Sequence, residues 1–175
     1  MSRRQKPGRG RRVGGEVRPT TQRILESMSG TLLPRLEGAR VLDLFAGTGQ
    51  VGLKMAELGA EQVVFVEGHR KVAQALRGRL KEAPKDCDVS LVVGAIPEVL
   101  AKITGTFDLI LCDPPYDWDS PQALLPEAKH LLAPGGLLAV EHHHKTPYEE
   151  VDGWSLFRCQ KFGETRLSYF ELPSS

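Results

Sequence analysis

Cysteine is scarce. Cys87, Cys112 and Cys159 are the three in 175 residues, scattered and without a C-x-x-C pair. That pattern excludes a disulfide framework and a structural zinc site. No apolar run is long enough to span a bilayer, so no membrane contact is expected. The N-terminus is basic but lacks the apolar stretch of a secretory signal, and a cytoplasmic protein is expected. Residues 1–15 hold almost nothing apolar and cannot form a packed core. Acids are nearly missing from the first 23 residues, where Glu16 stands against Arg3, Arg4, Lys6, Arg9, Arg11, Arg12, Arg18 and Arg23. The remainder carries 15 basic and 21 acidic residues, an asymmetry that the net charge of +1 hides. A basic, glycine-rich arm on a mildly acidic body fits a polyanionic partner met by the arm, with a solvated tail as the alternative. Residues 1–17 therefore read as a flexible basic arm, and 18–175 as one domain of ordinary size.

What is present centres on Val41-Leu42-Asp43-Leu44-Phe45-Ala46-Gly47-Thr48-Gly49-Gln50-Val51-Gly52. Val41 to Phe45 reads as a buried strand. Gly47 and Gly49 permit a tight turn and close approach of a ligand. A helix follows, and the N–H groups of its first turn point at whatever sits on the loop. This is a cradle for a nucleoside-bearing cofactor. G-x-G-x-x-G, with Glu67 at the distance of a ribose contact, also fits a dinucleotide site. Asp43 argues against that, because a carboxylate just before the loop repels a pyrophosphate. It suits the ammonium of S-adenosylmethionine (SAM). The plain alternative is that Asp43 caps the loop through backbone N–H groups.

Strands and helices alternate along the chain. A helix is expected from Pro19, with Thr20 or Thr21 as its cap and Ile24, Leu25, Met28, Leu32 and Leu33 at helical spacing. Strands are expected over 40–45, 62–66, 88–93, 107–112 and 137–141, and helices over 50–58, 69–83, 96–103 and 122–132. This order predicts a parallel sheet covered on both faces. Runs 154–162 and 166–172, joined through Gly163-Glu164, form a hairpin, so one of them runs antiparallel. The expectation is an α/β fold, Rossmann-like: a mostly parallel seven-stranded sheet ending in an antiparallel hairpin. SAM-dependent methyltransferases have that layout.

The second motif, Asp113-Pro114-Pro115-Tyr116, follows the fourth strand. Ligands bind beyond the carboxyl ends of such strands, so Asp43, Gly47, Glu67 and Asp113 converge on one edge. Proline fixes φ and supplies no N–H, so its carbonyl can point outward as an acceptor. Asp113 adds a second acceptor. Two acceptors hold an exocyclic amino group in line with a methyl donor, and Tyr116 offers a stacking face for the base. The bland reading is a rigid Pro-Pro turn capped by Asp.

Leu42 to Gly49, Asp113 to Tyr116, Arg18-Pro19-Thr20 and Phe162-Gly163-Glu164-Thr165 together resemble the RsmD-type bacterial methyltransferases. The resemblance covers residues 17 to 172. It implies methylation of the N2 amino group of one guanine in small-subunit (16S) ribosomal RNA, naked or in an assembled subunit, by a monomeric enzyme. It places Asp43, Phe45, Ala46, Gly47, Thr48 and Gly49 on the methionine of SAM. It places Glu67 on the ribose hydroxyls and Asp113, Pro114, Pro115 and Tyr116 on the guanine. Arg18 and Thr20 fall at the active-site mouth. Where such proteins usually carry an acid for adenine after the third strand, this chain has Gly94-Ala95-Ile96. Ala95 and Ile96 then offer backbone groups instead, or SAM binds more weakly. Arg11 and Arg12 of the arm, and Trp118 after Tyr116, are the remaining RNA candidates.

No metal is expected. Of His142, His143 and His144, at most two share a strand face, and no ligand set completes a site. Cys112, within an apolar strand, reads as a buried small hydrophobe. Trp154 opens a strand and is expected to pack. Three other functions remain in view: adenine-N6 methylation of RNA or DNA, SAM binding without turnover, and NAD-dependent dehydrogenation. The intact second motif disfavours binding without turnover, and nothing resembling a hydride-transfer acid/base follows the fourth strand to support a dehydrogenase.

Overall fold

The structure, a computed structural model, describes residues 19–115, 118, 121–146 and 153–173, with backbone alone at 19–20 and 121–123. Its elements are α1 (Pro19–Leu32), β1 (Arg40–Leu44), α2 (Gln50–Glu57), β2 (Gln62–Glu67), α3 (Arg70–Arg79), β3 (Asp88–Val93), β4 (Phe107–Cys112), α4 (Pro121–Leu131), β5 (Leu132–His143), β6 (Ser155–Phe162) and β7 (Thr165–Glu171). One sheet holds all seven strands in the order β3-β2-β1-β4-β5-β7-β6. β1 to β5 pair in parallel. β7 is antiparallel to both β5 and β6, so it is the reversed strand of the hairpin. The expected Rossmann-like methyltransferase layout is the observed one.

The period of two along each strand sorts the core into two layers. Val41, Val63, Phe65, Leu109, Leu111, Ala139 and Tyr169 pack with Ile24, Met28 and Leu32 of α1, Met55 of α2 and Leu76 of α3. Leu42, Leu44, Val64, Val66, Ile110, Val140 and Phe170 pack on the other face with Val99, Leu100 and residues 124, 125, 128 and 131 of α4. Burying each such side chain is worth about 1.5–3 kcal/mol against leaving it exposed. Asp43 stands one pleat beyond Val41, on the face that α2 covers. The alternation that builds the core also aims this carboxylate at the start of α2.

Four boundaries differ from the sequence reading. Leu132 already pairs with Phe107, and the register then jumps to Leu109↔Leu137. Pro134-Gly135-Gly136 is therefore a bulge within β5 and not a turn before it, because Leu132 is buried against the sheet. β5 also runs on to His143, which pairs with Thr165. In place of a helix over 96–103 there is a 3₁₀ turn, Glu98–Lys102, with Leu100 N–H donating to Pro97 O. α3 ends at Arg79 and tightens into a 3₁₀ turn over Leu80–Glu82, just before Pro84.

Candidate functional site

The loop after β1 is built by three backbone bonds. Ala46 N–H donates to Val66 O (2.9 Å), Gly49 N–H to Ala46 O (2.8 Å) and Leu53 N–H to Gly49 O (2.9 Å). Gly49, at φ 75°, is the N-terminal cap of α2. Phe45 holds φ +57° without being glycine, which costs of order 1–3 kcal/mol and marks the loop as a functional segment. Arg79 of α3 donates from Nη1 to Thr48 O (2.8 Å) and ties the loop from outside.

Asp43 Oδ2 accepts a hydrogen bond from Gly52 N–H at 2.9 Å. The capping role is thus real, and the same carboxylate also lines a cleft. Burial pushes its pKa up to about 7; the Gly52 N–H works against that shift, and the charges of Asp113 and Glu67 add to it. A half-protonated acid beside the loop is stabilised by a cation. Gly52 must be glycine for space: a Cβ there would meet the Phe65 ring and lie 2.7 Å from Asp43 Oδ2.

Glu67 uses both carboxylate oxygens on backbone. Oε2 accepts from Gly47 N–H (2.9 Å) and Oε1 from His69 N–H (2.7 Å). Each oxygen keeps a further lone pair for an outside donor. Gly94 N–H donates to Glu67 O (3.2 Å), which sets the end of β3 beside it, while Ala95 O is taken by Val99 N–H (2.8 Å). Ile96 packs against the α4-side core.

The cleft at the carboxyl ends of β1 and β4 brings together Asp43, Phe45, Ala46, Thr48 and Asp113 of the expected residues. Gly47, Gly49, Glu67, Ala95 and Ile96 lie outside it, on the β2–β3 side of the same edge. Pro115 O accepts from Trp118 N–H at 2.9 Å, so its carbonyl closes a turn and does not point outward as the sequence reading had it. Trp118 stands edge-on to Phe45, ring centroids 5.1 Å apart, and so contacts the glycine loop. Tyr116, Arg11, Arg12 and Arg18 lie outside the described residues, and Thr20 is described by its backbone in α1 alone.

Sequence reasoning missed one wall and one carboxylate. Thr21, Ile24, Leu25 and Met28 of α1 line the cleft, as do Gln50 and Val51 of α2 and Glu141 of β5. The i, i+3, i+4, i+7 stripe of α1 was legible, but which cavity it faces was not. Glu141 ends its strand run as Asp113 follows β4, and that parallel was the available signal.

The discounted residues have structural partners. His142 Nε2 bonds Ser168 Oγ (2.9 Å) and its Nδ1 bonds His143 O (3.0 Å); burial pushes its pKa down. Cys112 is buried in β4, and burial pushes its thiol well up, which suppresses thiolate. Trp154 packs against the α4-side core.

A family model described as Conserved hypothetical protein 95 matches residues 10–171. The chain belongs to the RsmD-type methyltransferase family. It is 30% identical over 166 residues to "Putative rRNA methyltransferase YlbH" of Bacillus subtilis, covering 91% of this chain and 90% of that one. It is 29% identical over 162 residues to "Ribosomal RNA small subunit methyltransferase D" of Escherichia coli K12, covering 89% and 79%. Among solved structures, "Putative methyltransferase yhhF from Escherichia coli" superposes with a TM-score of 0.80 at 25% identity, over 91% and 89% of the two chains. Like other RsmD-type proteins it is a methyltransferase with SAM as cofactor. Its own residues fit that group: a buried acid poised for a cation, a glycine loop, and a position 52 that tolerates no Cβ.

Proposed function

We propose that this methyltransferase acts on the exocyclic N2 amino group of a guanine in small-subunit ribosomal RNA. One observation carries the reading: Asp43 and Asp113, from separate motifs, line a single cleft beside the glycine loop. SAM, when bound, supplies a methyl on a cationic sulfur. Asp43 then balances the ammonium of its methionine part, with Phe45, Ala46, Gly47, Thr48 and Gly49 framing it. Glu67 accepts from the ribose hydroxyls on the lone pairs its backbone bonds leave, and Ala95 and Ile96 border the adenine.

Asp113 and the Pro114 carbonyl hold the target amino group in line, and Tyr116 stacks the base. Positioning supplies most of the rate, since the amino nitrogen is itself the nucleophile. Arg11, Arg12, Arg18 and Thr20 meet the RNA. Trp118, seated on Phe45, is a further RNA contact beside the glycine loop. The names of the Bacillus and Escherichia relatives support ribosomal RNA as substrate. The working form is a cytoplasmic monomer acting on naked RNA or the assembled small subunit.

The test is mass mapping of methylated nucleosides in ribosomal RNA with and without the gene. Loss of one N2-methylguanosine from the small-subunit RNA, restored by the wild-type chain, is expected. Loss of N6-methyladenosine would move the target to adenine, and no change in any nucleoside would sink the ribosomal reading.

A further inference from the structure

Resting on that RNA reading, we propose that the exposed face of α3 is a docking surface for the phosphate backbone of the RNA substrate, beyond the basic arm. Residues 68–81 hold Arg70, Lys71, Arg77, Arg79 and Lys81 and no acid. All five are exposed. Among the described residues Arg70, Lys71, Arg77 and Lys81 enter no ion pair; the pair recorded is Lys54–Glu57 on α2. Lys81 shares the 3₁₀ turn after α3 with the next acid, Glu82, and Asp86 and Asp88 come later.

Two further features are unexplained by folding. Arg70 and Lys71 sit in the first turn of α3, where no acid is present and the positive end of the helix repels cations. Gly78 stands in the last turn of α3, where a Cβ would meet nothing within 4 Å. Alanine would fit and would strengthen the helix, so neither space nor conformation calls for glycine. Exposed Gln74 and Ala75 separate Arg70 and Lys71 from the second basic cluster, Arg77, Arg79 and Lys81, in which Gly78 leaves room beside the backbone. A sugar–phosphate strand can lie close to the helix there with cations on either side.

The face also connects to the chemistry. Arg79 reaches Thr48 O of the glycine loop, and α3 begins three residues after Glu67. An acidic membrane is the other polyanion such a face could meet. Surface helices that bind membranes pair their cations with an apolar face. Among the described residues the exposed large apolar ones are Leu33, Val93, Leu156 and Phe157, and none is on α3.

The experiment uses the full-length protein with arm and Arg79 intact, and the variant Arg70→Gln/Lys71→Gln/Arg77→Gln/Lys81→Gln. Affinity for a small-subunit ribosomal RNA fragment is measured against salt, beside SAM affinity and steady-state methyl transfer. The slope of log affinity against log salt should shrink by about 3, at roughly 0.7 per single-strand phosphate contact, and KM for RNA should rise at least about tenfold. SAM affinity and kcat should hold. Gly78→Glu, whose Cβ has room, should reproduce part of the loss. An unchanged slope and KM would overturn the surface, as would retained RNA binding with lost affinity for vesicles of acidic phospholipid. A wild-type chain that transfers no methyl to ribosomal RNA would instead overturn the functional reading, while the salt slopes still judge the surface.

Discussion

An aspartate with a pKa near 7 keeps its proton over a range where an ordinary one, at 3.8, has lost it. Between those values the folded chain binds a proton that the unfolded chain lacks. Stability therefore falls as pH rises through that window, and the full penalty stands above about pH 7. The contribution is about 1 kcal/mol per pH unit within the window. Asp43→Asn should flatten the fall in thermal midpoint between pH 5 and 7; an unaltered profile would show that burial does not hold the proton. If the ammonium of SAM pairs with Asp43, binding at pH 6 must release protons. The binding enthalpy would then depend on the ionisation enthalpy of the buffer, and buffer independence would remove Asp43 from that role. Asp113 behaves differently. Asp113→Ala should cut single-turnover methyl transfer by roughly 100-fold, the cost of a misplaced nucleophile. SAM affinity should survive or improve, because Asp113 is one of the charges raising the Asp43 pKa. Wild-type transfer by that variant would break the proposed amino-group clamp.

At the scale of elements, the contact between β1 and α2 is the tightest constraint on the site. Gly52→Ala pushes a methyl toward the Phe65 ring and Asp43 Oδ2, and α2 must shift to admit it. Overpacking of this kind costs about 1–3 kcal/mol. A lowered thermal midpoint with weakened SAM binding is expected; an unchanged midpoint would mean that the helix moves at no cost. The sequence carried this contact only in outline. Short, nearly continuous apolar runs identified β1, β2 and β4, and glycines marked the loop between Phe45 and Gln50. Nothing local showed that Leu132 pairs with Phe107, because Pro134-Gly135-Gly136 carries turn chemistry and only tertiary pairing turns it into a bulge. Likewise Pro115 looked like an outward acceptor until the position of Trp118 N–H was known. The two carboxylates of the cleft were legible as motifs. Glu141 and the α1 wall were not, since both depend on which side of the sheet faces the opening.

Across the whole molecule, charge is divided between an arm and a body. Deleting residues 1–15 should lower RNA affinity and flatten its salt dependence by about one unit of slope per lost phosphate contact. The thermal midpoint should stay put, because the arm has almost no apolar residues to bury. Equal RNA affinity with and without the arm at low salt would make it a passive tail. The family match starts at residue 10 and so takes in Arg11, Arg12 and Arg18. From there the chain runs directly into α1, which begins at Pro19 and contributes Thr21, Ile24, Leu25 and Met28 to the cleft. One segment thus joins the proposed polyanion site to a wall of the proposed cofactor site, and linkage makes the traffic between them two-way. Any factor by which RNA on the arm tightens SAM through α1 is the factor by which SAM tightens RNA. A spent cofactor that makes weaker contact with that wall would loosen the grip on the methylated strand by the same ratio.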